Sequence, residues 1–252
     1  YRLMVADVRK PGMTDWHEVV GEQDGVLQDV LFLPADRMIL TYSKDNCTEA
    51  WLYSVKGERL SRIELPTFGS ASFSGSRKQD ECFFSFTSYT VPTTIYRFDP
   101  ATGKSQVESQ PKVNVRLNDY TTEMVFCTSK DGTKVPLFLT YRKGLKRNGK
   151  NPVMLYGYGG FNICYPPSFS PMRIPFLENG GIYAYAALRG GGEYGESWHL
   201  AGTKLQKQNV FDDFISAAEW LISEKYTDSN HLAIYGGSNG GLLVGACMTQ
   251  RP

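Results

Sequence analysis

The stretch that decides the fold is IYGGSNGGLL, residues 234–243. It places Ser238 between two glycine pairs, directly after one apolar run and directly before another. Residues 236–240 fit the pattern G-x-S-x-G, which indicates a catalytic serine only where a strand leads in and a helix leads out. LAIY at 232–235 predicts that strand, and LLVGACMTQ at 242–250 predicts that helix.

The glycines around Ser238 have a physical explanation. A serine in a sharp strand-to-helix turn is strained, and side chains at the flanking positions would collide with the strand and the helix. We therefore predict that Ser238 stands exposed above the carboxyl edge of a sheet, where helix N–H groups face any oxyanion that forms. The alternative is a glycine-rich turn that only packs a helix against a strand.

The sequence pattern of residues 119–252 predicts an α/β domain. A hairpin turning at Asp131-Gly132 is followed by three runs apolar enough for buried strands of a parallel sheet. A stretch with helical spacing separates the second run from the third, which makes a strand–helix–strand crossover. Asp212 and Asp213 are expected at the N-terminus of that helix. The runs are VMLYGYGG (153–160), GIYAYAALRGGG (181–192) and HLAIYGG (231–237), and the helical stretch is 209–228.

Residues 1–118 predict part of a β-propeller. RMILTYSKDNCTEAWLYSV (37–55) aligns without a gap on ECFFSFTSYTVPTTIYRFD (81–99), and repeats of this length with several strands are typical of propeller blades. We expect about two blades and the tail of a third, fewer than the four that a closed ring needs. The alternative is the general similarity of any two antiparallel hairpins.

Four motifs in this order resemble the prolyl oligopeptidase family of serine peptidases. They are LYGYGGFNI (155–163), LRGGGEYGESWH (188–199), KQNVFDDF (207–214) and GGSNGGLL (236–243), and the resemblance runs through most of residues 120–252. It implies a β-propeller followed by an α/β-hydrolase domain. It also implies hydrolysis of short peptides on the carboxyl side of proline, through an acyl-enzyme at a serine.

The resemblance assigns roles to four residues. Ser238 matches the nucleophile, and the backbone N–H of Asn239 matches one oxyanion donor. The hydroxyl of Tyr158 matches the second donor, and Phe161 matches an aromatic that lines the pocket for the substrate's proline ring. Without the resemblance, Tyr158 and Phe161 would read as core aromatics at the end of a strand.

A base and its orienting carboxylate are missing from the pattern. In α/β-hydrolases the chain order is Ser, then Asp or Glu, then His, yet none of these acids or bases follows Ser238. His17, His199 and His231 lie upstream, and we expect them to be surface or structural residues. We therefore expect an internal piece of a longer enzyme, inactive by itself.

Charge and composition narrow the possible partners. The 27 basic and 26 acidic side chains nearly cancel, so we expect neither nucleic acid nor an anionic membrane as a partner. No apolar run approaches the roughly 20 residues that cross a bilayer. Five scattered cysteines indicate reduced thiols in the cytoplasm. The expected partners are short proline-containing peptides, and the full-length protein is expected to be a monomer.

No cofactor or metal site is predicted. The three glycines at 190–192 lack the Lys-Ser/Thr of a phosphate loop. Glu193, Glu196, Asp212 and Asp213 lack His or Cys partners at ligand spacing, so we expect them on a solvated face or at a helix start.

Two other functions stay open at this point. One is a sister peptidase that cuts after basic residues. The other is a non-catalytic interaction protein in which a propeller is joined to an inactive hydrolase domain.

Overall fold

The computed structural model describes all 252 residues, which divide into two compact units. The first comprises residues 1–112 with 166–168, and the second comprises residues 113–165 with 169–252. The domain boundary between residues 118 and 119 stays a prediction. None of the helices is both long and apolar enough to cross a bilayer.

The first unit contains two four-stranded antiparallel sheets and a two-stranded ribbon. In each four-stranded sheet, consecutive strands pair with one another, which is the connectivity of a propeller blade. The strands are β1 (Leu3–Val5), β2 (His17–Val20), β3 (Val26–Leu33), β4 (Arg37–Lys44), β5 (Cys47–Ser54), β6 (Arg59–Ile63), β7 (Ser70–Ser76), β8 (Gln79–Ser88), β9 (Val91–Asp99) and β10 (Lys104–Ser109).

The repeat in the sequence corresponds to the two central strands of each sheet. β4 and β5 form the central hairpin of one sheet, and β8 and β9 form that of the other. Met38 and Cys82, which the repeat aligns, are both fully buried. The two sheets share an apolar core in which Phe73 and Phe84 pack with ring centroids 5.0 Å apart. The prediction of repeated β units is confirmed.

The second unit is built on a five-stranded sheet in the order β11-β12-β14-β13-β15. The predicted hairpin at Asp131-Gly132 joins the antiparallel strands β11 and β12, whereas β13 pairs in parallel with both β14 and β15. The strands are β11 (Tyr120–Thr128), β12 (Lys134–Arg142), β13 (Val153–Gly157), β14 (Ile182–Ala186) and β15 (Leu232–Tyr235). The helices are α1 (Ile174–Glu178), α2 (Glu196–Leu200), α3 (Gln208–Ser223) and α4 (Asn239–Gln250).

Burial across this sheet follows strand position. Every residue of β14 is buried, as its apolar run predicts, and α3 packs on the sheet through Phe214 and Leu221. β15 alternates between partly buried and exposed residues. The prediction that all three runs are buried on both faces is therefore wrong for β15, because in this chain it pairs only with β13 and lies at the sheet's edge.

Two acidic residues are buried, contrary to the sequence-based expectation. The helix α3 begins at Gln208, so Asp212 and Asp213 fall in its second turn rather than at its start. Asp213 is fully buried, and Glu193 is only 2% exposed. The expectation of solvated or helix-start positions is wrong for these two because each points into the domain interior.

The buried charge of Asp213 is matched by Arg189. The guanidinium of Arg189 donates 2.6 and 3.0 Å hydrogen bonds to the two carboxylate oxygens, and its backbone N–H donates a third. On the other side it contacts Asp131 in the β11–β12 turn. Burial alone would lower the pKa of Arg189, but the hydrogen bonds that its guanidinium donates to both carboxylates outweigh this effect and raise the pKa. The hydrogen bond from Arg189 lowers the pKa of Asp131 to about 2.

We expect Asp213→Ala to destabilise the intact protein by about 3–5 kcal/mol, because it leaves a buried guanidinium without its main partner. Asp212→Ala is the matched control, since that carboxylate only accepts a bond from Gln208 within the same helix. Denaturant titrations of both variants measure the free energy of unfolding. Equal losses in the two variants would contradict the assignment of the buried pair.

Candidate active site

The parallel register of β13 and β15 brings two loops to one edge of the sheet. Tyr156 lies opposite Tyr235, so the chain leaves both strands at the same level. Tyr158 follows β13, and Ser238 follows β15 after two glycines. This is the carboxyl edge of the parallel strands, where open α/β sheets bind ligands.

Ser238 occupies a strained backbone conformation. It precedes the first residue of α4 with φ 54° and ψ −119°, and its side chain is exposed. A positive φ is rare outside glycine and costs about 1–3 kcal/mol, which neighbouring packing must offset. The predicted strand, turn and helix around this serine are confirmed as local structure.

The two glycines of the G-x-S-x-G pattern are sterically required. A Cβ on Gly236 would lie 2.4 Å from the carbonyl oxygen of Gly240. A Cβ on Gly240 would lie 2.7 Å from the carbonyl oxygen of Gly157, at the end of β13. By contrast, a Cβ on Gly237 would meet nothing within 4 Å. Close backbone approach therefore fixes the pattern at its first and last positions only.

Asn239 joins this turn to the loop that follows β13. Its side-chain amide donates a 2.5 Å hydrogen bond to the carbonyl oxygen of Tyr158. Asn239 is also the first residue of α4, so its backbone N–H lies in the helical turn whose N–H groups have no intrahelical acceptor. The structure thus brings three predicted site residues, Tyr158, Ser238 and Asn239, to one place.

The two predicted aromatics differ in their surroundings. Tyr158 is buried and packs edge-on against Tyr165, with ring centroids 5.1 Å apart. Phe161 is 72% exposed and has φ 55°, so it is not a core aromatic. Tyr165 was not singled out by sequence reasoning, because no spacing links it to Tyr158.

Lys207 is a further residue that sequence reasoning missed. Its ammonium donates a 2.7 Å hydrogen bond to the carbonyl oxygen of Gly159 and a 3.3 Å bond to the side-chain oxygen of Asn239. Burial lowers the pKa of Lys207. Its place in the motif KQNVFDDF was the only signal in the sequence, and nothing there linked it to the serine turn.

Glu193 lies buried in the loop after β14. One carboxyl oxygen accepts a 3.2 Å hydrogen bond from the hydroxyl of Tyr185, and the other has no hydrogen-bond partner. Burial raises the pKa of this carboxyl to about 7. Hydrogen bonds from its own backbone, Tyr185 and Trp198 act in the opposite direction and lower the pKa, but by less. A Cβ on Gly191 would lie 2.2 Å from the unpartnered oxygen, so the glycine run packs around this carboxyl.

The three histidines have other surroundings. His231 precedes β15, at the end opposite Ser238, and contacts Asp228 at 2.6 Å. The ring of His199 is 2.8 Å from the carbonyl oxygen of Gly190, and His17 belongs to the first unit. No group of three or more His, Cys, Asp or Glu side chains is arranged to hold a metal ion.

An exposed serine on a strained strand-to-helix turn is typical of serine hydrolases. Comparison with family models agrees. The model of the prolyl oligopeptidase N-terminal beta-propeller domain matches residues 1–111, and that of the prolyl oligopeptidase family matches residues 167–252. The chain belongs to the prolyl oligopeptidase family of serine peptidases.

Individual relatives are similar along nearly the whole chain. Prolyl endopeptidase of Elizabethkingia meningoseptica is 45% identical over 100% of this chain and 36% of its own length. Prolyl endopeptidase of Dictyostelium discoideum is 42% identical over 94% of this chain and 32% of its own length. This chain therefore spans about a third of the length of these relatives.

Solved structures of prolyl endopeptidases and a prolyl oligopeptidase are also similar to this chain. A structure from a study of two prolyl endopeptidases superposes with a TM-score of 0.95 at 47% identity, covering 100% of this chain and 37% of the other. Prolyl oligopeptidase B from Galerina marginata, bound to a 35-residue substrate, gives 0.94 at 35% identity, covering 100% and 36%. That enzyme was solved with a histidine, an aspartate or a serine replaced by alanine.

We expect Gly236→Ala to disrupt the serine turn and Gly237→Ala to leave it intact. The first methyl group would collide with backbone, whereas the second would enter open space. A rigid backbone clash of this kind costs about 1–3 kcal/mol or more. Denaturant titrations of the two variants measure the difference. Similar unfolding free energies for both would contradict the packing described for the turn.

Proposed function

We propose that this chain carries the nucleophile and oxyanion site of an endopeptidase that cleaves short peptides on the carboxyl side of proline. The observation that carries the proposal is the exposed, strained Ser238. The side chain of its neighbour Asn239 donates a hydrogen bond to the carbonyl oxygen of Tyr158. The family membership and the prolyl endopeptidase relatives support it.

In the proposed mechanism, Ser238 Oγ attacks the carbonyl carbon of the proline residue and loses its proton to a general base. The carbonyl oxygen becomes an oxyanion that accepts hydrogen bonds from the Asn239 N–H and the Tyr158 hydroxyl. Each such donor stabilises the transition state by about 3 kcal/mol. The intermediate then expels the amine, which takes up the proton, and water hydrolyses the acyl-enzyme by the reverse path.

The base and its carboxylate come from outside residues 1–252 in this proposal. His231 lies at the end of β15 opposite Ser238, and the ring of His199 contacts the carbonyl oxygen of Gly190. The Galerina marginata structures with a serine, an aspartate or a histidine replaced fit a triad of these three residue types. Residues 1–252 alone are therefore expected to be inactive.

The proline preference is assigned to Phe161. Its exposed ring is available for a ligand, and a flat aromatic face packs well against a pyrrolidine ring without needing charge. Phe161 thus favours proline over the basic residue that a sister peptidase would select. We also propose a monomer in the cytoplasm, where the five free cysteines would remain reduced.

The proposal is tested with the intact protein and two reporter peptides that differ only in proline or arginine before the scissile bond. We expect hydrolysis of the proline reporter and little of the arginine reporter. Ser238→Ala should lower kcat by about six orders of magnitude, because the covalent path is lost.

A fluorophosphonate probe separates the alternatives. We expect it to label the intact wild-type protein at Ser238 and to leave Ser238→Ala and residues 1–252 alone unlabelled. Preference for the arginine reporter would favour the sister specificity. Absence of labelling in the intact wild type would favour the non-catalytic interaction protein.

A further inference from the structure

Lys207 forms a bridge between two separate segments of the second unit. It lies just before α3, and its two hydrogen bonds reach Gly159 in the loop after β13 and the side chain of Asn239 in α4. Asn239 completes the bridge through its own bond to the carbonyl oxygen of Tyr158. Three hydrogen bonds therefore hold the loop of residues 158–160 against the first residue of α4.

The bridge is tightly packed. A Cβ on Gly160 would lie 2.6 Å from the side-chain nitrogen of Asn239, so the loop backbone rests directly on that side chain. Lys207 is half-buried, and both of its acceptors are neutral oxygens; no carboxylate forms an ion pair with it. Removing an ammonium group from water without a counter-charge is unfavourable. A neutral side chain would therefore make a purely structural contact at a lower cost in free energy.

We propose that Lys207 is a positioning residue for the oxyanion site, setting the separation between the Tyr158 loop and the N-terminus of α4. The inference rests on the function proposed above. The two proposed donors belong to segments that are 81 residues apart in the chain, and no covalent link fixes their spacing. Oxyanion donors must lie within about 2.7–3.1 Å of the developing charge, and a misplacement of about 1 Å costs up to a hundredfold in rate.

The test uses the intact protein and the variants Lys207→Met and Lys204→Met. Methionine keeps most of the length of the side chain and removes its donors. Lys204 is the matched control, because it is exposed and lies three residues earlier. For the proline reporter, we expect Lys207→Met to lower kcat about tenfold to a hundredfold with KM changed less than about twofold. Lys204→Met should keep both values.

A second readout separates positioning from a general loss of folded protein. A peptide aldehyde ending in proline forms an adduct whose oxygen occupies the oxyanion site, whereas the matching alcohol cannot. We expect Lys207→Met to lower the affinity for the aldehyde by the same factor by which it lowers kcat/KM. The affinity for the alcohol should not change. The final extent of fluorophosphonate labelling counts the folded sites in each sample.

A double-mutant cycle tests the bridge itself. If Lys207 acts through Asn239, Lys207→Met combined with Asn239→Ala should be little worse than the more severe single variant. Lys207→Arg, which retains a cation with several donors, should keep more activity than Lys207→Met. The inference is wrong if the wild type cleaves the reporter and Lys207→Met keeps the same kcat. It is also wrong if the losses of activity from Lys207→Met and Asn239→Ala multiply in the double variant. If the wild type is inactive, the proposed function fails first.

Discussion

Close approach of backbone to backbone at the Ser238 turn is the constraint on which the site depends. The carbonyl oxygens of Gly240 and Gly157 occupy the space that side chains at Gly236 and Gly240 would need. This packing brings the end of β13, the end of β15 and the start of α4 together. The positive φ of Ser238 is the consequence, since a chain passing directly from strand to helix in so little space cannot adopt a relaxed conformation.

Buried Arg189 and half-buried Lys207 differ in the partners of their positive charges. Arg189 is neutralised by Asp213 and Asp131, so its charge is balanced in the resting protein and it links α3 to the β11–β12 turn. Lys207 bonds only to neutral oxygens beside the proposed oxyanion site. The first arrangement fits a structural role. The second leaves a positive charge without a carboxylate partner between the loop after β13 and the first residue of α4.

The sequence predicted the elements that depend on local pattern. Apolar runs located β13, β14 and β15, the repeat located the central strands of both sheets, and G-x-S-x-G located the serine turn. It did not predict that Asp213 and Glu193 are buried. Their partners lie 24 residues away for Asp213 and eight for Glu193, and helical or loop spacing carries no information about which way a side chain turns. The role of Lys207 was hidden for the same reason, because its acceptors lie 48 and 32 residues away.

The most direct test of the central claim is a crystal structure of the intact protein after reaction with a peptide aldehyde that ends in proline. We predict a covalent bond from Ser238 Oγ to the aldehyde carbon. The adduct oxygen should lie about 2.7–3.1 Å from both the Tyr158 hydroxyl and the Asn239 backbone nitrogen. An adduct oxygen that contacts neither donor, or a bond to a different residue, would contradict the account.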